Sequence, residues 1–266
     1  MKIVFITVSY NNFKSTKSYV ESFLSLYGLD DVSLLVVDNS SVEDLELKCY
    51  IEGKPDLISY LRQNENKGYM AACNFGYEKI KNDLDKNSVI IYSNNDLIFN
   101  TKEMCIKIRE VFLSDKNIGV LSPRVNDTNC DIELNPFLID RPKKSSLNKL
   151  RLLFSNYYLC KLFHFFKKNK NKKNIVLNSS DIYATHGCIF ILNNEVLSEK
   201  PDDEYFLYGE EVTIAEICRE KKLLTVFVDD ISISHVSHAT TGNEFTKFQF
   251  SCKKNAIKHI VSKYSW

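Results

Sequence analysis

The sequence predicts an α/β fold: a mostly parallel central sheet flanked by helices, carrying one basic helical insertion. Three observations predict it. Apolar runs of strand length alternate with stretches of helical periodicity, the pattern of βαβ units. The runs are almost continuously apolar, which suits strands buried on both faces. A polar triplet, Asn94-Asn95-Asp96, closes the run VIIYS at 89–93, and the carboxyl end of a strand is where open α/β sheets hold ligands. The triplet equally suits a plain turn, because Asn and Asp hydrogen-bond their own backbone.

Residues 2–10 form the first strand and end in the loop Ser9-Tyr10-Asn11-Asn12. Tyr19, Phe23, Leu26 and Tyr27 recur at helical spacing over 13–27, and Gly28 closes that helix. A second apolar run at 32–37 leads into Asp38, Asn39, Ser40 and Ser41. A third, at 57–61, precedes the loop 64–68 and a helix over 69–80. After the 89–99 stretch come a helix over 102–113 and a strand over 118–125. Residues 183–192, YATHGCIFIL, read as a strand with a glycine near its start. An aromatic approach then enters a helix within 203–222, with Glu210 and Glu211 in its first turn, where the helix dipole favours negative charge. A strand over 223–234 runs into His235-Val236-Ser237-His238, and the tail 244–266 is helical at its centre.

The composition of the 266 residues is globular, 44% hydrophobic and 26% charged. With 35 basic and 34 acidic residues, no overall field favours nucleic acid. The first loop has no glycine, so the dinucleotide fingerprint GxGxxG is absent, and so is a Walker-type phosphate loop. Eight scattered cysteines form no CxxC pair and read as reduced thiols of a cytosolic protein. The opening MKIVFITVSYNN lacks a small-residue cleavage site and reads as a strand, not a signal peptide. No apolar run reaches 18 residues, so none is expected to span a membrane.

The segment 141–174 stands apart. It holds eleven Lys or Arg and no Asp or Glu, interleaved with Leu147, Leu150, Leu153, Phe154, Tyr157, Tyr158, Leu162, Phe165 and Phe166. Basic helices with an aromatic apolar side suit an anionic membrane surface. The competing reading is a solvated insertion that packs its apolar side on the domain. Single-stranded nucleic acid also uses such residues, but no other basic region supports it.

Seven pieces in order then resemble glycosyltransferase family 2 enzymes of GT-A fold, especially their rhamnosyltransferase-like branch. They are TVSYNN (7–12), VVDNSS (36–41), NENKGYMAACNFGY (64–77), YSNNDLIF (92–99), THGCIFIL (185–192), EYFLYGEEVTIAEICR (204–219) and HVSHATTG (235–242). Each is weak alone; the ordered set is specific and covers nearly the whole chain. The resemblance implies a single GT-A (Rossmann-like) domain. Residues 1–125 form its nucleotide-sugar half, 126–182 a variable region with the basic insertion, and 183–266 an acceptor-side half.

The implied roles follow position by position. Val8, Tyr10 and Asn11 lie near the base or ribose, and Asp38 bonds the base edge, unless it only closes a turn. Gly68 and Asn74 approach the nucleotide, and Lys67 offers charge to a phosphate or is a plain surface lysine. Asn94-Asn95-Asp96 stands where the family has its DXD motif, so Asp96 supplies the carboxylate for Mg2+ or Mn2+, a hard cation that takes oxygen ligands. His235 is a further metal ligand or diphosphate donor, with His238 as the alternative. Glu211 falls at the catalytic base and Glu210 beside it. The family's later Asp is Thr213 here, and the first DXD position is Asn94. These departures give some standing to the alternative, a catalytically inactive module that binds sugar nucleotides or glycans. The resemblance otherwise implies an inverting transferase that uses a nucleotide-sugar donor, such as dTDP-rhamnose. Its acceptor is a glycan or lipid-linked saccharide of a bacterial surface. It works in the cytoplasm, peripherally on the inner face of the membrane through 141–174.

Overall fold

β1 (Ile3–Ser9) is buried along its whole length, and the sheet grows from it in both directions. The computed structural model describes residues 1–167, 181–236 and 245–266. In chain order the first half contains α1 (Phe13–Leu24), β2 (Val32–Asp38), α2 (Leu45–Glu52), β3 (Ile58–Arg62), α3 (Tyr69–Ile80), β4 (Val89–Asn94), β5 (Leu97–Phe99), α4 (Met104–Ser114) and β6 (Ile118–Asp127). The second half contains β7 (Ile132–Glu133), α5 (Lys144–Leu153), α6 (Tyr157–Lys167), β8 (Asp181–Ile182), β9 (Ile189–Asn193), α7 (Glu210–Lys221), β10 (Leu224–His235) and α8 (Lys247–Lys263). The strand order is β3-β2-β1-β4-β9-β6-β10-β5, with β7 on β6 and β8 on β10. Pairing is parallel from β3 to β4 and between β6 and β10; β9 enters antiparallel between β4 and β6.

Alternation along β1 explains the two cores. Ile3 and Phe5 face a layer containing Tyr19 and Phe23 of α1, Leu47 of α2 and Ile108 of α4. Val4, Ile6 and Val8 face Met70 and Cys73 of α3 and Ile214 and Ile217 of α7. Phe5 meets Phe23 and Phe99 edge to face at 5.1 and 5.6 Å, an arrangement the ring quadrupoles favour. All eight cysteines are free thiols.

Three details depart from the sequence reading. α2 was not expected; Asp44 starts it by accepting the Leu47 N–H at 3.0 Å. The stretch 183–192 is not one strand. The Asn135 amide oxygen accepts the His186 N–H at 2.7 Å, so the backbone at 185–188 forms a loop, and the strand starts only at Ile189. Past the triplet at 94–96 the chain re-enters the sheet as β5, which leaves the β1 side and pairs antiparallel with β10.

The insertion forms α5 and α6, which lean on α8. Phe154 stacks on Phe250 at 6.0 Å, and Tyr157 stacks on Phe245 at 6.1 Å. At its root Arg141 makes a two-pronged contact with fully buried Glu216 at 2.8 and 2.9 Å. Burial alone would raise Glu216, but hydrogen bonds from Arg141, Tyr183 and Arg219 hold its carboxyl below the usual range. Among the described residues, no helix is long and apolar enough to cross a membrane.

Candidate active site

The triplet after β4 splits its side chains between two environments. The Asn94 N–H donates to the Cys188 carbonyl at 2.9 Å. Asn95 turns inward and donates to Thr16 Oγ1 at 2.8 Å. Asp96 emerges beside His235, the last residue of β10, because β5 and β10 pair His235 opposite Leu97. Asp96 Oδ1 lies 3.2 Å from His235 Nε2, and both side chains are about nine-tenths buried.

That contact is not aligned as a hydrogen bond. Asp96 Oδ1 and His235 Nδ1 have no hydrogen-bond partner among the described residues. Such orphaned atoms are costly when buried. Two neighbouring ligands on an octahedral cation with bonds of about 2.1 Å lie about 3 Å apart. A carboxylate oxygen and an imidazole nitrogen at this separation therefore fit Mg2+ or Mn2+. A second group, Asp202, Glu204 and His259, also brings possible ligand atoms together. There Asp202 already holds the Lys263 ammonium at 2.9 Å, so the chain supplies its own cation.

The loop before β9 joins the parts. His186 lies with its ring 6.2 Å from that of His235, the Gly187 N–H donates to Glu211 Oε1 at 3.3 Å, and the Cys188 carbonyl receives Asn94. Three consecutive residues thus reach His235, Glu211 and the triplet. Asn135 and Ser122 pin this loop, through His186 N–H and Thr185 Oγ1 respectively. Nothing in the spacing of THGC assigned it that role.

The acidic pair separates into two environments. Tyr208 and Gly209 both have positive φ, 71° and 97°, and this tight entry aims the first turn of α7. Glu210 is buried and curls back to accept the Tyr208 N–H at 3.0 Å. Glu211 is half-buried beside Gly187. Burial, then the adjacent Glu211 carboxylate, push Glu210 up to about 8; burial also pushes Glu211 up, partly offset by backbone N–H groups and Lys253. With its native value raised, Glu210 retains a proton in the fold that the unfolded chain has lost. Stability should therefore fall as pH rises from about 4.5 towards 8. Denaturant titrations across that range should show the decline, and Glu210→Gln should flatten it.

Gly187 leaves room for the carboxylate where it sits. A Cβ there would lie 2.9 Å from Glu211 Oε1. Gly187→Ala should displace the carboxylate and lower kcat about tenfold or more while nucleotide affinity stays the same, since a misplacement near 1 Å is enough for such losses. Steady-state kinetics beside a nucleotide titration checks the split.

A cleft of about 280 Å³ opens beside the triplet, lined in part by Val8, Tyr10, Gly68, Asn94, Asn95 and Asp96, six of the residues the sequence resemblance assigned to the donor. Sequence reasoning missed Asn39, Asn66, Tyr69, Phe206, Leu207 and Phe248, which also line it. Asn39 Oδ1 and the Tyr69 hydroxyl are buried with no hydrogen-bond partner among the described residues. The signal for Asn39 was its place directly after a strand-end Asp. Gly68, at φ 96°, lets the wall close: a Cβ there would lie 2.0 Å from the Phe206 carbonyl oxygen.

Other expected residues sit elsewhere. Asp38 is fully enclosed rather than open to a base edge. It accepts the N–H groups of Ser40 and Asp44 and the Tyr60 hydroxyl, at 2.9, 3.1 and 2.8 Å, with the Arg62 guanidinium 3.6 Å away. Its carboxylate organises the loop that presents Asn39. Asn74 is turned from the cleft and donates to the Pro201 carbonyl and to Asp203 at 2.8 and 3.1 Å. Lys67 is exposed and pairs with Glu65 at 3.4 Å. The Asn11 backbone donates to Ser40 Oγ at 2.9 Å, while its side chain is exposed. Thr213, where a further acid was expected, is fully buried and hydrogen-bonded to the Tyr205 hydroxyl at 2.6 Å. His238, the alternative to His235, lies outside the described residues, as do Lys168, Lys170, Lys172 and Lys173 of the basic segment.

The family profile described as "Glycosyl transferase family 2" matches residues 4–189. No curated protein matches the sequence. Among solved structures, GalNAc-T7 with UDP, GalNAc and Mn2+ is similar at TM-score 0.67 and 15% identity, over 99% of this chain and 48% of that one. The mannosyltransferase PcManGT from Pyrobaculum calidifontis, in complex with GDP-Man and Mn2+, is similar at 0.58 and 13%, over 97% and 69%. S. aureus TarS is similar at 0.57 and 12%, over 88% and 36%. The chain thus spans about half the length of the first and about a third of the last. At these identities the likeness is one of fold.

Proposed function

Because the chain belongs to glycosyl transferase family 2, we propose that it moves a sugar from a nucleotide-diphosphate donor to an acceptor hydroxyl, with inversion at the anomeric carbon. The observation that carries this reading is the 186–188 loop, which ties Glu211, His235 and the Asn94–Asp96 triplet into one site. The nucleotide would lie in the cleft lined by Tyr10, Asn39, Phe206 and Phe248. Asp96 and His235 would hold Mg2+ or Mn2+, which when bound supplies positive charge against the leaving diphosphate.

Glu211 takes the proton from the acceptor hydroxyl as that oxygen attacks the anomeric carbon from the face opposite the diphosphate. Gly187 N–H fixes the carboxylate, and Glu210, tied to Tyr208, only supports the turn. One base suffices because the diphosphate leaves as a stabilised anion; the flanking acid of a glycosidase is not required.

The donor is a nucleotide sugar, dTDP-rhamnose by branch resemblance. The acceptor is a bacterial surface glycan, such as a lipid-linked O-antigen or capsule intermediate, met at the inner face of the cytoplasmic membrane. A panel of dTDP-, UDP- and GDP-sugars, assayed with Mn2+ for transfer and hydrolysis, tests the reading. Turnover of one member is expected. Tight binding of a member without any turnover would favour the inactive binding module instead.

A further inference from the structure

We propose that α5 and α6 form an in-plane docking hairpin for an anionic lipid bilayer, seated by the outer face of α6 and coupled through α8 to the cleft. The insertion resolves both readings of its apolar residues by dividing them. Leu147, Phe154 and Cys160 are buried, and Tyr157 stacks on Phe245 at the approach to α8. Tyr158, Leu159, Leu162 and Phe163 are exposed by 75%, 57%, 55% and 46%, and Leu152 by 73%. At 100° per residue, 158, 159, 162 and 163 fall on one stripe of α6, opposite buried Cys160. An exposed apolar patch of this kind on a soluble surface marks an interaction site.

Charge selects the partner. Between 141 and 167 the chain has seven Lys or Arg and no Asp or Glu. Lys149 and Arg151 are exposed on α5, and Lys161 is exposed on α6. Outside 141–174 the chain has 24 basic and 34 acidic residues, so the body is acidic and the hairpin alone is cationic. Exposed cations on the same pair of helices as a Leu-, Tyr- and Phe-bearing stripe match the headgroup boundary of an anionic leaflet, with leucines below and cations at the phosphates. An acidic body disfavours flat adsorption on any other face.

The attachment is firm. Arg141 fixes the root on Glu216, and Phe154 and Tyr157 stack on Phe250 and Phe245. From the other side of the same contact, Phe248 of α8 lines the cleft and meets Phe206 edge-on at 5.7 Å. The lipid-facing hairpin and the cleft are therefore neighbours through one helix, about 10 Å across. This places an acceptor carried on a lipid within reach of the site. The lipid-linked acceptor rests on the transferase reading; the docking itself does not.

The test is flotation of the full chain with phosphatidylcholine vesicles, with and without phosphatidylglycerol. Binding to the anionic vesicles only is expected. Leu159→Glu with Leu162→Glu should weaken it about tenfold or more, and each of Lys149→Gln, Arg151→Gln and Lys161→Gln about fivefold. Tyr158→Trp should shift its emission to the blue on adding anionic vesicles; the native Trp266 is capped by Arg141 at 4.4 Å. Should the double Glu variant fail to fold, the Tyr158→Trp signal decides. Glu211→Gln should bind vesicles like the parent, so a failed transferase reading leaves docking intact. Equal binding to both vesicle types, no tryptophan shift, or a dimer in sedimentation that the Leu substitutions dissolve would overturn the proposal.

Discussion

Glu211→Gln should lower kcat by about 10²–10⁴-fold, the contribution of a positioned general base, while nucleotide affinity stays near the parent value. The amide keeps the shape of the side chain beside Gly187 but cannot take a proton. Glu210 cannot substitute, because its carboxylate is buried and committed to the Tyr208 N–H. Since burial pushes Glu211 above the ordinary carboxylate range, the parent's kcat/KM should rise with pH at a correspondingly high value. The base works only when deprotonated, so activity is lost as pH falls through that value. The Gln variant should lose this limb of the profile. Near-parental turnover in Glu211→Gln would remove the residue from this role.

Asp96→Ala should cost about 10²–10³-fold in kcat, the usual loss when one fixed electrostatic stabiliser of a developing charge is removed. It should also abolish tight Mn2+ binding in the presence of a nucleoside diphosphate, read directly from the electron paramagnetic resonance of free Mn2+. Asp96 is the only carboxylate of its triplet, and His235 alone is a poor site for a hard cation. His235→Ala should show the same binding defect in milder form. Unchanged Mn2+ binding in Asp96→Ala, or full activity in EDTA, would contradict the metal assignment.

Some of this was legible in the sequence for physical reasons. The strands β1, β2 and β4 are apolar runs buried on both faces, so composition alone reveals them. The triplet at 94–96 and the pair at 210–211 are local polar breaks at element ends, which is why they stood out. The antiparallel entry of β9 was not legible, because strand order is set by pairing between residues about a hundred positions apart, such as Ile91 with Ile191. α2 escaped because its apolar residues Leu45, Leu47 and Ile51 are few and interleaved with charge. The surroundings of Asp38 come from the next strand, where Arg62 lies opposite it in register and Tyr60 opposite Val36. No local pattern reveals such a neighbour. The resemblance put Glu211 rather than Glu210 at the base position, but residue type alone does not separate the two; the positive φ at Tyr208 and Gly209 and the contact with Gly187 give them different surroundings. The loop 186–188 has the same character: its importance lies in three contacts with segments distant in the chain.

With a donor that turns over, the anomeric configuration of the glycoside product, read from its one-bond C1–H1 NMR coupling, tests the single-base displacement most directly. A single base, Glu211, acting on the acceptor hydroxyl as the diphosphate leaves predicts inversion relative to the donor. Retention of configuration would contradict it.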